Sequence, residues 1–174
     1  TDPILEPFSQ PAIANGTFVG IPDVDLPEDD SDIGVLLRAG TGANLFNFLI
    51  ANFGNECLDI DDATTFERAV VEGFDGTLDS VDELTGVLTM QGSRLSTCTE
   101  GNFSESDGDL FSVGDWFNVQ ASNSTTPVIL NGVFPTEEIS GGVLPPNPND
   151  GSGFTFDPVD YVGAFADEND RWID

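Results

Sequence analysis

Residues 15–20 read NGTFVG and residues 47–54 read NFLIANFG, and these two stretches, 32 positions apart, decide the fold. In each, an asparagine is followed by alternating apolar residues and then a glycine. Alternation at period two marks a strand with one buried face. Recurrence of like residues at ~20–30 positions is the mark of a coil whose rungs stack in register. The acidic stretch between the echoes, residues 21–32 (IPDVDLPEDDSD), is expected to bulge from one rung as an exposed loop.

Working outward, residues 34–38 (GVLLR) read as a compact strand. Residues 44–52 (NLFNFLIAN) read as one strand, with Phe46, Phe48 and Ile50 on one face and Leu45, Asn47 and Leu49 on the other. Residues 57–61 (CLDID) alternate again, and strands are expected within residues 86–98, 115–120 and 127–134. Thr64 with Glu67 forms a capping-box pattern, and Phe66, Ala69, Val70 and Phe74 recur at helical spacing, so one short helix is expected near 64–74. Ser80 with Glu83 is a second such pattern, sufficient for a single turn. Residues 1–140 are therefore read as rungs with inserted loops and residues 141–153 as a Pro/Gly-rich linker. Residues 154–174, which carry Tyr161 and Trp172, form a tail packed back on the body. Two all-β solutions remain, an antiparallel β-sandwich and a coil of parallel rungs, and the 32-residue echo favours the coil.

The chain has 174 residues, enough for one domain with a core. Its 39% hydrophobic content and 14 phenylalanines separate it from disordered acidic chains. Against 32 acidic residues stand four basic ones, all arginine, giving a formal charge of −28. A field of that sign repels phosphate backbones and anionic lipid, so neither nucleic acid nor a membrane surface is an expected partner. No apolar run is long enough for membrane insertion. The absence of histidine removes Ser-His-Asp and Cys-His catalysis and His-ligated zinc from this chain. An acidic surface without lysine suits brine, where salt screens repulsion among carboxylates. Cys57 and Cys98, 41 positions apart and outside any CxxC motif, are expected to pair, a closure contributing ~4 kcal/mol in the chain-entropy model and pointing to an oxidising compartment.

Residues 38–62 (RAGTGANLFNFLIANFGNECLDIDD) resemble rungs of large secreted right-handed parallel β-helix proteins of marine and other aquatic bacteria. Residues 156–172 (FDPVDYVGAFADENDRW) are similar to the C-terminal segment of the same proteins, which commonly runs on to Gly-Trp-Thr. This chain ends Ile173-Asp174, and on that departure it is expected to be a piece of something longer. The resemblance implies a pectin-lyase-like, right-handed solenoid with one inserted helix, located outside the cell or on its surface. It implies no established activity.

Asp59, Asp61 and Asp62 are the densest carboxylate group beside an expected strand. Paired acids on a β-helix fit glycoside hydrolysis, but the basic groups needed to hold an acidic sugar are missing. Arg38 and Arg94 are the nominal bases for lyase chemistry and are better read as ion-pair partners. Calcium is the more sober expectation, at Asp59/Asp61/Asp62, at Glu28/Asp29/Asp30/Asp32 or at Asp107/Asp109. Phe103, Phe111, Trp116 and Phe117 are candidates for a glycan platform, with core packing the favoured use. Asn15, Asn102 and Asn123 head N-glycosylation patterns. The functional expectation is a non-catalytic extracellular or cell-surface module that meets other chains, or copies of itself, through the ends of its coil. Thr1-Asp2-Pro3 opens without a capping helix, so the first rung is expected to meet another. Alternatives are a polysaccharide-binding or polysaccharide-degrading protein and a calcium-dependent binding module.

Overall fold

Nine short parallel strands dominate the described residues, and after most of them the backbone turns left-handed within one or two residues. The computed structural model describes residues 9–21, 31–147 and 153–170. A first pass lays down β1 (Ala12–Ala14), β2 (Thr17–Val19) and β3 (Val35–Leu37). A second lays down β4 (Asn44–Phe46), β5 (Leu49–Ala51) and β6 (Glu56–Ile60), and a third β7 (Thr89–Gln91), β8 (Arg94–Ser96) and β9 (Gly101–Phe103). Strands of successive passes pair in parallel, giving three three-stranded sheets ordered β1-β4-β7, β2-β5-β8 and β3-β6-β9. The expected alternative, an antiparallel sandwich, does not hold: the nine strands form no antiparallel pair.

The 32-residue echo is the register itself, since Ile13 lies opposite Leu45 and Phe18 opposite Ile50. In the third sheet the offset is 23, Val35 lying opposite Leu58, so the extra nine residues enter between β2 and β3. The stretch expected to be one strand over residues 44–52 is instead β4 and β5 with Asn47 between them at φ 59°. That left-handed residue resets the alternation. Leu45, Phe48 and Ile50 face one core with Leu58, Met90 and Leu95, while Leu49 packs on the far side against Ile139 and Val162. Phe46 therefore does not share a face with Phe48, as period two requires.

Left-handed residues stack at the corners. Asn15, Asn47 and Gly92 have φ of 60°, 59° and 62°; Asn52 and Thr97 have 61° and 59°; Ala39 and Asp62 have 58° and 66°. Asparagine tolerates this region better than other side-chain-bearing residues, which explains its place in both echoes. The ladders continue around the bends, with Asn15 N–H donating to Phe46 O and Asn47 N–H to Gln91 O, each at 2.9 Å.

The first helix, α1 (Ala63–Ala69), is shorter than expected and begins earlier, because Asp62 rather than Thr64 is its cap. A capped 3₁₀ turn, Val81–Glu83, follows, with both halves of the Ser80/Glu83 box formed. Residues 115–120, expected as a strand, lie in or just after α2 (Val113–Val119). Ser112 caps it, and Val113, Trp116 and Phe117 recur at helical spacing with no exposure. This helix packs on β6 and β9 and closes one end of the core. Past it, Leu95 N–H donates to Ser124 O and Ser124 N–H to Ser93 O, and Ser124 bridges Arg94 in parallel, prolonging the second sheet. Within residues 127–134 only a two-residue strand forms, β10 (Leu130–Asn131), in a hairpin with β11 (Phe134–Pro135).

The segment read as a linker begins as a fixed one, Val143 N–H donating to Asn47 Oδ1 at 2.7 Å. In the C-terminal segment, Gly163 N–H donates to Asn47 O, Ala164 N–H to Thr17 Oγ1, and Val162 and Phe165 are buried. Trp172, the Thr1-Asp2-Pro3 opening and residues 148–152 of the expected linker lie outside the described residues.

Candidate functional site

The carboxylate group singled out by the sequence sits where β6 passes into α1. Asp59 is on the outward face of β6 between the buried Leu58 and Ile60. Burial raises its carboxyl above the usual range, the charges of Asp61, Glu56 and Asp109 add to the rise, and a hydrogen bond from Ser104 opposes it. Asp61 Oδ1 accepts from Asp62 N–H at 2.8 Å, which leaves Asp61 beside a cleft of about 340 Å³ that it shares with Asp62, Glu67 and Asp109.

Asp62 lies at a left-handed φ of 66°, and its carboxylate is engaged by the protein itself. Oδ1 accepts from Thr64 Oγ1, Thr65 N–H and Thr65 Oγ1, while Oδ2 accepts from Ala39 N–H at 2.6 Å. Burial raises its pKa, but the hydrogen bonds from Thr64, Ala39 and Thr65 outweigh it and hold the carboxyl below the usual range. Asp62 thus joins the start of α1 to the corner of the first pass. Among the described residues no three of His, Cys, Asp and Glu gather as a metal centre. Asp109 accepts from Ser106 N–H within its own loop, Asp107 is exposed, Asp32 lies on another segment, and Glu28, Asp29 and Asp30 fall outside the described residues.

Cys57 and Cys98 form a disulfide with Cα atoms 5.5 Å apart, tying β6 to the residues just after β8. The aromatic group offers no platform. Phe111, Trp116 and Phe117 are buried, and Phe103 is partly buried with its ring 5.4 Å from that of Phe117. Of the three glycosylation patterns, Asn123 donates its amide to Met90 O and Phe117 O, and Asn15 accepts from Asn47.

Two features escaped sequence reasoning. Asn47 is a buried polar junction whose only signal was its place in the echo. Arg94 shares a cleft with Glu137 and Glu138, more than 40 positions away, which no local pattern discloses. No helix among the described residues is long and apolar enough to cross a membrane. The class these features define is a mainly β protein built on parallel sheets and stapled by one disulfide. No family model matches the chain, and neither a curated protein nor a solved structure matches it.

Proposed function

We propose that this chain is a non-catalytic structural module of the cell exterior, a right-handed parallel β-helix that associates with other chains, or with its own copies, through the end formed by β1, β2 and β3. The observation that carries this reading is the contrast between the two ends of the stack. At one end α2 covers the core with Trp116 and Phe117. At the other, Ile13 and Phe18 stand in register above the core residues Leu45 and Ile50, yet are 47% and 43% exposed. The outer edges of β1, β2 and β3 pair with no strand among the described residues. Such edges template pairing with another chain unless they are covered. The disulfide supports an oxidising compartment, and the acidic surface supports an environment with screening salt.

The test is sedimentation of the intact chain across a concentration series in high salt, beside Phe18→Glu. Self-association that Phe18→Glu weakens by about tenfold or more, with circular dichroism unchanged, is the expected result. A single monomeric species at every concentration would remove the self-association on which this proposal relies.

A further inference from the structure

Arg94 opens β8 on its outward face, opposite Leu49 in the neighbouring strand. Its Nη1 donates to the Thr126 carbonyl at 3.2 Å, and Nε is buried without a hydrogen-bond partner. Burial alone holds the guanidinium below its usual range. In a chain with 32 acidic residues, this half-buried cation forms no ion pair with any described carboxylate. Yet two carboxylates line the same cleft of about 380 Å³: Glu137 and Glu138, both exposed and neither accepting a hydrogen bond from a described residue. Thr136 and Ser140 add hydroxyls to its wall, and Val128 adds apolar surface.

Opposite charges that share a cleft without meeting leave a gap that a ligand of both signs can bridge. A guanidinium is matched to a carboxylate by its forked donors, and an ammonium to carboxylate acceptors. The net charge of −28 disfavours entry of a free anion, whereas a molecule with no net charge enters unopposed. The volume is at the small end of ligand sites, which fits a molecule the size of an amino acid. We propose that this cleft binds a small zwitterion, its carboxylate on Arg94 and its ammonium on Glu137 and Glu138. This site lies apart from the coil end and does not depend on the structural role.

The experiment is calorimetric titration of the intact chain with three probes of similar size: alanine, propionate and ethylammonium. Alanine is expected to bind about tenfold tighter than either single-charge probe. Arg94→Gln, and separately the pair Glu137→Gln and Glu138→Gln, are expected to weaken alanine about tenfold. The glutamate pair is exposed, so it decides the matter should Arg94→Gln fail to fold. Propionate binding as tightly as alanine, or no saturable alanine binding up to about 50 mM, would overturn the proposal.

Discussion

Asn47 does the work of a short piece of backbone. It is fully buried, its Oδ1 accepts from Val143 N–H, and its Nδ2 donates to Val143 O and Asn15 Oδ1. Replacing it by alanine strands the Val143 groups and leaves a Cβ at a left-handed φ, so Asn47→Ala is expected to cost roughly 2–4 kcal/mol in urea unfolding. Asn47→Gly removes the same hydrogen bonds without the backbone strain and is expected to cost about 1 kcal/mol less. Equal losses would mean that φ 59° carries no strain here. Gly92 completes the column because a Cβ there would lie 2.5 Å from Asn47 Oδ1. Asp59 makes the opposite case. Its folded pKa is raised, so the native state holds the proton more tightly, and stability falls as pH rises from the unfolded value through the folded one. Asp59→Asn is therefore expected to stabilise the protein at neutral pH by roughly 0.5 kcal/mol in low salt. The gain should vanish below the unfolded carboxyl pKa of about 3.9, which melts across a pH series would check.

At the scale of elements, the sheets were legible and the helices only partly so. Strands in residues 34–38 and 86–98 follow from alternation and flanking turns, and the disulfide from cysteine spacing and context. Over residues 44–52 alternation misled, because a left-handed asparagine inside an apolar run flips the faces without interrupting the run. Over residues 113–119 the strand-like composition of Trp116, Phe117 and Val119 concealed an i, i+3, i+4 pattern headed by Ser112. The three-residue strand β9 has no apolar alternation of its own, and pairing with β6 makes it a strand. The disulfide links these passes across 41 positions. Reduction, or the double replacement Cys57→Ser and Cys98→Ser, is expected to cost ~4 kcal/mol, read as a lower urea midpoint. An unchanged midpoint would show that the stacked sheets already impose the closure.

Across the whole molecule, charge sets the conditions under which the fold persists. With −28 on 174 residues, the native state concentrates repulsion that the expanded chain relieves. Raising sodium chloride from about 0.05 to 1 M shortens the screening length from more than 10 Å to about 3 Å. The melting temperature is expected to climb through that range, and a flat response would show that the carboxylates are already too dispersed to matter. The stacking of passes could be read from one echo and the Asp59/Asp61/Asp62 group from its density of acids, but the Arg94 cleft could not. Arg94, Glu137 and Glu138 line one cleft only when the chain folds over the second sheet. Asp62 was read as a ligand because the Thr64/Glu67 pattern drew the cap two residues on, although its own bond to Thr65 N–H is local and only the one from Ala39 N–H is distant.

One bend between the sheets holds a further lesson. Between β3 and β4 the chain spends residues 38–43, and at the corresponding bend between β6 and β7 it spends residues 61–88, including α1 and the 3₁₀ turn. The strand that follows lands in the same alignment, Leu45 beside Met90. A bend can thus lengthen without shifting the register, but the longer one is tied to the scaffold by Phe66, Ala69, Val70, Leu84 and Leu88 in the core, so a foreign peptide should be displayed without rewriting the architecture only from its exposed tip, Asp75–Thr77.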